Sequence, residues 1–249
     1  MIDIHSHILP GIDDGARDLY DTLEMAQIAA NSGVTHIVAT PHCNIPDLYD
    51  NYFGKQYIEV FRAAKKAIQE EQIPVQLLPG MEVFGTYDVP ELMVAGKIMP
   101  LNQSRYVLLE FAFDEEEEYV QDILDRVRAV NARPVIAHAE RYDFVQDRPQ
   151  LVYEWRRKGY LVQVNKSSFQ GNFGRYAERA AYQLMDHGLI SVIASDAHSP
   201  EQRTPYMASV YEQLSYEYPE KMLKVLFEEN PRRICEDKPT IRFPLKPFD

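Results

Sequence analysis

Seven short apolar runs, each followed by an amphipathic or loop-rich stretch, recur along the chain in one rhythm. They are Met1 to His7, Thr35 to Thr40, Val75 to Gly80, Tyr106 to Phe111, Pro134 to His138, Leu161 to Asn165 and Ile190 to Asp196. Helical spacing predicts helices between them, over Asp18 to Asn31, Tyr57 to Glu71, Asp114 to Val130, 149–158 and 174–187, with two more over 204–217 and 219–229. In the first of these, Leu19, Leu23, Ala26, Ala29 and Ala30 fall on one side. Short β/α units in sequence imply parallel strands. Near-continuous apolar runs suit a sheet covered on both faces. Such a sheet either closes into a barrel or stays open and doubly wound.

The polar residues at the strand ends favour closure. His5 and His7 follow the first strand, with Asp13 and Asp14 in its loop. His42 follows the second strand and Glu82 the third, while Glu110 ends the fourth and His138 the fifth. Asp196 and His198 end the seventh. In a closed parallel barrel these ends ring one rim, where barrel enzymes carry out their chemistry. An open sheet would spread the same residues along an edge, too far apart to share metals. Five of the seven histidines stand at strand ends; His36 starts a strand and His187 ends a helix. Glu110 interrupts an apolar strand and needs a cation or a donor there. This mixture of imidazole and carboxylate suits Mn, Fe or Zn and exceeds what one metal needs.

A chain of 249 residues has the length of one α/β barrel. Its formal net charge of −12 argues against nucleic acid as a partner, which would call for a broad basic surface. With only Cys43 and Cys235 there is no disulfide framework, and a reducing cytoplasm is expected. No signal peptide and no apolar run long enough to insert in a membrane is evident. The Pro-rich end, 236–249, reads as an extended arm beyond a barrel spanning 1–235. Neither cysteine starts a Cys-x5-Arg motif, since Tyr49 and Ile241 stand where the arginine would be. No G-x-S-x-G or glycine-rich phosphate loop is present.

Taken together, His5-x-His7, Thr40-Pro41-His42, Gly80-x-Glu82, Glu110-Phe111, His138-x-Glu140-Arg141 and Ser195-Asp196-x-His198 resemble the polymerase-and-histidinol-phosphatase (PHP) family. Within it, Met1 to His7, Asp13-Asp14-Gly15, Ser104-Arg105-Tyr106 and Asn230-Pro231-Arg232 are similar to the manganese-dependent tyrosine-protein phosphatases of bacterial capsule and exopolysaccharide clusters. The resemblance covers about residues 1 to 234. It implies a distorted (β/α)7 TIM-like barrel with three divalent metals, Mn first and Fe or Zn as alternatives. Carried over position by position, one metal takes His5, His7, Glu82 and Asp196. A second shares Glu82 and adds Glu110 and His138. The third takes Asp14, His42 and His198. Arg141 and Arg203 match arginines implicated in phosphate handling, Arg203 on the looser pattern Arg203-x-Pro205.

The implied activity is hydrolysis of phosphotyrosine, on the Tyr-rich tail of a bacterial tyrosine kinase that controls polysaccharide synthesis. A water held between two divalent metals is hydroxide-like near neutral pH and suited to in-line attack on phosphorus. A planar guanidinium such as that of Arg141 matches phosphoryl oxygens in pairs. A small-molecule phosphomonoesterase of the histidinol-phosphatase type is the alternative, with the same metals and a different substrate. A PHP nuclease and a non-catalytic partner protein with structural metals are more distant readings. Tyr49, Tyr52, Phe53 and Tyr57 read either as a wall for a phenyl ring or as ordinary packing, and Asn165, Ser167 and Ser168 either as site lining or as turn residues.

Overall fold

The computed structural model describes residues 1–248. Asp249, the last residue of the expected arm, lies outside the described residues. All strand pairs between the named strands are parallel, and they fall in two sheets. The chain runs β1 (Ile2–Ser6), α1 (Leu19–Asn31), β2 (His36–Ala39), β3 (His42–Cys43), α2 (Lys55–Glu70), β4 (Gln76–Pro79), β5 (Glu82–Phe84) and α3 (Val89–Val94). It continues through β6 (Tyr106–Glu110), α4 (Glu117–Ala129), β7 (Arg133–Ile136), α5 (Asp143–Asp147), α6 (Leu151–Lys158), β8 (Leu161–Asn165), α7 (Arg175–Asp186) and β9 (Val192–Ala194). Helices α8 (Ala208–Ser215), α9 (Glu220–Lys224) and α10 (Asn230–Cys235) end the regular structure.

The two sheets have the orders β1-β2-β4 and β3-β5-β6-β7-β8-β9. They are one curled wall, because the second and third expected strands each run on, past a break at their expected ends, into a further short strand, β3 and β5. Pro41 separates β2 from β3, and it has no N–H to donate. Gly80 lies between β4 and β5, so close to the neighbouring strand that a Cβ there would stand 2.6 Å from Val38 Cγ1. The buried Tyr57 hydroxyl accepts from Gly80 N–H at 3.0 Å and donates to Gly80 C=O at 2.9 Å, satisfying the broken strand. The far edge returns to the first strand: Ser6 bridges Ala197, Asp196 N–H donates to His5 C=O at 2.9 Å, and His7 N–H donates to Ala197 C=O at 2.8 Å. The result is the distorted parallel barrel that the strand-end pattern required.

Two-residue alternation puts Leu108 and Glu110 on one face of β6, Leu161, Gln163 and Asn165 on one face of β8, and Val192 and Ala194 on one face of β9. The lower members join Ile2, Ile4, Val38 and Val135 in a compact apolar layer that Leu101 and Ile234 also enter. Glu110, Gln163 and Asn165, higher on the same faces, are polar and buried. The other strand face packs under the helices in a larger cluster containing Ile37, Leu109, Ile136 and Val164.

Several boundaries differ from the expected ones for physical reasons. Helix α1 starts at Leu19 because Asp18 caps it, accepting from the N–H groups of Tyr20 and Asp21. Its buried stripe is Asp21, Thr22, Met25, Ala26 and Ala29, with Leu23 and Ala30 half-buried against the core, so four of the five residues of the expected side face inward and Leu19, 40% exposed, does not. Thr22 donates to Ile8 C=O at 2.8 Å, and Arg17 holds Asp21, so polar bonds widen the buried face to include these two residues. The last helical stretch does not stop at 229: a wide turn, Val225–Glu229, carries it into α10, where Pro231 sits in the first turn and needs no N–H partner. Beyond α10 the chain has no regular structure but is tied down. Asn230 Nδ2 donates to Ile241 C=O at 3.0 Å, Lys246 N–H donates to His187 C=O at 3.1 Å, and the Phe248 ring stacks on His187 at 3.7 Å. Among the described residues, no helix is long and apolar enough to cross a membrane.

The Tyr57 hydroxyl bonds both backbone groups of Gly80, and both residues are buried. Tyr57→Phe leaves that N–H and C=O without the hydroxyl, at a cost of about 1–3 kcal/mol. Urea unfolding is expected to show that loss with an unchanged m-value; a midpoint equal to that of the parent protein would contradict it.

Candidate metal centre

The nine side chains expected as ligands come together in one continuous cluster at the C-terminal ends of the strands. His5 and His7 rise from the end of β1. His5 Nε2 lies 3.1 Å from Glu82 Oε1 and 3.3 Å from Asp196 Oδ1. His7 Nε2 lies 3.2 Å from Glu82 Oε2 and 3.4 Å from Asp196 Oδ1. His138 Nε2 is 3.0 Å from Glu82 Oε1 and 4.0 Å from Glu110 Oε2. His42 Nδ1 is 2.6 Å from Glu110 Oε1 and 3.2 Å from Glu82 Oε2. Asp14 Oδ1 faces His42 Nε2 at 3.4 Å and His198 Nε2 at 3.6 Å.

Backbone geometry aims several of them. His138, Asp196 and Arg203 all have positive φ, in the left-handed region that non-glycine residues seldom occupy. Such residues cost roughly 1–3 kcal/mol each and persist where the surroundings hold them. At His138 and Asp196 the left-handed turn follows closely on a strand end and swings the side chain into the mouth. Gly15 serves His7 differently: a Cβ there would stand 2.1 Å from the His7 carbonyl oxygen, so the loop closes on β1 only with glycine.

A buried hydrogen-bond chain sets the tautomers. The Asp196 carboxylate only accepts, so Asn165 Nδ2 donates to Asp196 Oδ2 at 2.7 Å. Asn165 Oδ1 therefore accepts from Gln163 Nε2 at 2.8 Å. Gln163 Oε1 then accepts from His138 N–H at 3.0 Å and from His5 Nδ1, also at 3.0 Å. His5 thus carries its proton on Nδ1 and turns a lone pair on Nε2 toward the cluster. Asp13 does the same for His7, accepting from Nδ1 at 2.9 Å while also holding the N–H groups of Gly15 and His42. Orientation of a ligating imidazole by a partner on its other nitrogen is a general feature of metal sites.

These donors suit a cation. His5 Nε2 and His7 Nε2 face one another at 3.3 Å with their opposite nitrogens hydrogen-bonded away. Glu82 Oε2 is buried with no hydrogen-bond partner. Ligand bonds of about 2.0–2.2 Å put neighbouring donors roughly 2.8–3.6 Å apart, a range that holds most of the spacings here, with His42 to Glu110 shorter at 2.6 Å and His138 to Glu110 longer at 4.0 Å. Donor atoms form three groups: His5, His7 and Asp196; His42, Glu82 and Glu110; and His7, Asp14, His42 and His198. This partition differs from the expected one in placing His42 beside Glu82 and Glu110, and His7 beside Asp14; it leaves Glu82 out of the first group and His138 out of all three, 3.0 Å from Glu82 and 4.0 Å from Glu110. The three groups form a multi-metal arrangement that shares residues.

Burial and the crowding of charges shift the proton affinities of these groups in opposite directions. Burial opposes charge on His42, but the hydrogen bonds it donates to Asp14 and Glu110 push it up to about 10. Burial, reinforced by the Glu82 charge, raises Glu110 to about 7. Burial and the neighbouring His7 drop His198 to about 3. Glu82 is held well below the carboxylate range against its burial, mainly by His5 and His138.

Two arginines stand over the cluster. Arg203 Nη2 donates to Asp196 Oδ2, and its Nε is buried without a partner. Arg141 Nη1 lies 3.8 Å from the same oxygen. Glu140 stays behind them, fully buried, raised to about 7 by burial and accepting from Ser168 Oγ at 2.5 Å and Asn165 N–H at 3.1 Å. Of the aromatic residues weighed from sequence, Tyr49 stacks on His42 at 5.7 Å, whereas Tyr57 supports Gly80. Cys43 is buried, its thiol pushed up to about 12 by burial and turned toward Asp50 C=O. His187 is the C-cap of α7, remote in role from the cluster. Gln163 escaped the sequence reading; its one signal was an amide inside the apolar run Leu161 to Asn165.

The family described as capsular polysaccharide synthesis, CpsB/CapC, matches residues 1–236. The tyrosine-protein phosphatase YwqE of Bacillus subtilis (strain 168) is 32% identical over 99% of this chain and 96% of its own length. The tyrosine-protein phosphatase CpsB of Streptococcus pneumoniae is 31% identical over 96% of this chain and 99% of its own. A structure from the crystallography of those two proteins, described as unique metal-dependent tyrosine phosphatases, superposes with a TM-score of 0.92 at 32% identity, covering 100% of both chains. A Listeria monocytogenes lactonase shares the fold at a TM-score of 0.59 and 12% identity, over 94% of this chain and 93% of its own.

Gln163→Leu removes the acceptor that fixes His5 while leaving a buried apolar side chain. Metal affinity is expected to fall about 10–100-fold with the circular dichroism spectrum unchanged; metal content equal to the parent's after dialysis would refute the tautomer argument. The raised His42 also sets a pH dependence. Its proton is bound at neutral pH in the metal-free protein and must leave when a cation arrives. Metal affinity is therefore expected to rise with pH, with net proton release in calorimetry across buffers of different ionisation enthalpy. Uptake of protons, or none exchanged, would reverse that sign.

Proposed function

This chain belongs to the capsular polysaccharide synthesis CpsB/CapC family, and from that membership we propose that it is a metal-dependent protein-tyrosine phosphatase with a non-cysteine mechanism. The observation that carries the reading is the convergence of three ligand groups with two arginines on one barrel mouth. His5, His7, Asp14, His42, Glu82, Glu110, His138, Asp196 and His198 are the residues that hold the metals in this reading. Divalent metals there would supply an acidified water and a Lewis acid for phosphoryl oxygens.

The protein's own groups do the rest. Gln163 and Asp13 keep the Nε2 lone pairs of His5 and His7 turned inward, so these imidazoles arrive deprotonated on the required atom. Arg203, with one buried N–H left unpartnered, and Arg141 hold the phosphoryl oxygens. Both arginines face Asp196, Arg203 by a hydrogen bond and Arg141 at 3.8 Å, so phosphate and metal ligands meet at one carboxylate. The stacked pair of Tyr49 on His42 gives the mouth an aromatic side against which a phenol can lie. The tyrosine-rich tail of a bacterial kinase acting in capsule or exopolysaccharide synthesis is the substrate that the family suggests, and the cytoplasm is the compartment that goes with it. Manganese is the metal assigned in this reading.

The test strips metal from the purified protein, restores manganese, and compares initial rates on a phosphotyrosine peptide, histidinol phosphate and single-stranded DNA. Manganese-dependent turnover of the peptide above the other two is expected. Turnover of histidinol phosphate without the peptide would move the chain to the small-molecule class. His138→Ala is expected to lower the peptide rate by at least a hundredfold with the thermal transition retained; full activity would exclude His138 from the centre.

A further inference from the structure

Asp196 alone does not fix Arg141, since the closest approach is 3.8 Å. Aromatic faces hold the rest of it. Arg141 Cζ is 4.1 Å from the ring centroid of Phe113 and 4.2 Å from that of Phe173. A flat cation held between ring faces keeps its in-plane N–H groups free for another acceptor while losing rotational freedom. Phe173 also lies 5.6 Å from Arg203 Cζ, so one ring touches both cations over the cluster.

The two rings belong to loops at the mouth, not to the core. Phe113 follows β6 and is 41% exposed. Its ring meets His138 edge-on, 5.6 Å between centroids at 66°. Phe173 sits between Gly171 and Gly174, which both have positive φ, a backbone that glycine adopts without strain. The turn is thus shaped to present the ring. A phenylalanine left two-fifths exposed beside a buried imidazole gains little from core packing. It offers apolar surface to whatever reaches the cluster.

We propose that Phe113 and Phe173 form an aromatic clamp that positions Arg141 for a phosphoryl group, and that the exposed part of Phe113 packs on the arene of the leaving group. The pair then selects aryl phosphate esters over alkyl ones. Arg141 contacts the phosphoryl oxygens; Phe173 acts through Arg141, and Phe113 acts both through it and on the substrate. The inference rests on the tyrosine-phosphatase reading for its arene half. Its clamp half requires only that an oxyanion binds.

The test uses the manganese-loaded protein with Phe113→Leu and Phe173→Leu, and with the ring-keeping Phe113→Tyr and Phe173→Tyr. Calorimetry gives the affinity for inorganic phosphate, steady-state kinetics give kcat and KM for a phosphotyrosine peptide, and elemental analysis gives bound manganese. Both leucine variants are expected to bind phosphate about tenfold more weakly with manganese content unchanged, the scale of a lost cation–π contact in a desolvated site. Phe113→Leu is expected to raise KM for the peptide by a further factor of about three to ten, with kcat falling no more than in Phe173→Leu. The tyrosine variants are expected to stay within about twofold of the parent. Leucine variants that keep phosphate affinity within twofold overturn the clamp. A Phe113→Leu whose peptide KM rises no more than its phosphate affinity falls overturns the arene contact. A parent protein that binds phosphate but does not turn over the peptide overturns the tyrosine-phosphatase reading and the arene half with it, while the phosphate affinities still decide the clamp.

Discussion

The structure depends on a carboxylate that could not stay buried alone. Glu82 is 1% exposed, and its two oxygens lie within 3.2 Å of four imidazoles. Stranded charge in such a place costs several kcal/mol, so everything around it is arranged as compensation. The imidazoles arrive from β1, from the start of β3 and from the end of β7. The Glu82 backbone is placed by the strand break at Gly80. The left-handed turns at His138 and Asp196 serve the same point.

Around that point the polar groups are ordered in layers with different duties. Asp13 and Gln163 face away from the centre and fix which nitrogen of His7 and His5 faces in. Asn165 ties Gln163 to Asp196, and Asp196 in turn meets Arg141 and Arg203. A continuous path of hydrogen bonds and ion pairs thus runs from an imidazole to the two guanidinium groups over the cluster. The apolar layer of Ile2, Leu108, Val135 and Val192 beneath keeps this network from relaxing downward. Close-packed interiors transmit such constraints because they have no slack.

Much of this was legible in the residues. Alternation of apolar runs and helices pointed to parallel strands, and histidines and acids at run ends pointed to one rim. Glu110 declared itself by standing in an apolar strand. Other features were not legible. Gln163 reads as an ordinary strand residue until Asn165 and His5 are seen beside it. The burial of Asp21 and Thr22 on α1 was not legible, because hydrophobicity counts side chains and cannot weigh the bonds of these two residues. The short strands β3 and β5, just past Pro41 and Gly80, were not legible either, because what makes them strands is a neighbour to pair with and not a local pattern.

What the sequence determined by itself is therefore the set of strands, their parallel sense and the identity of the polar groups at their ends. Those follow from local periodicity and from the cost of burying charge, and both are properties of the chain read one window at a time. Tertiary structure decided how the groups share one another. It placed His42 beside Glu110 rather than only beside Asp14, turned His5 by Gln163 from far along the chain, and set Phe113 and Phe173 about Arg141. Distances of a few ångströms between residues many positions apart come from how a curled sheet closes, and no local pattern encodes them.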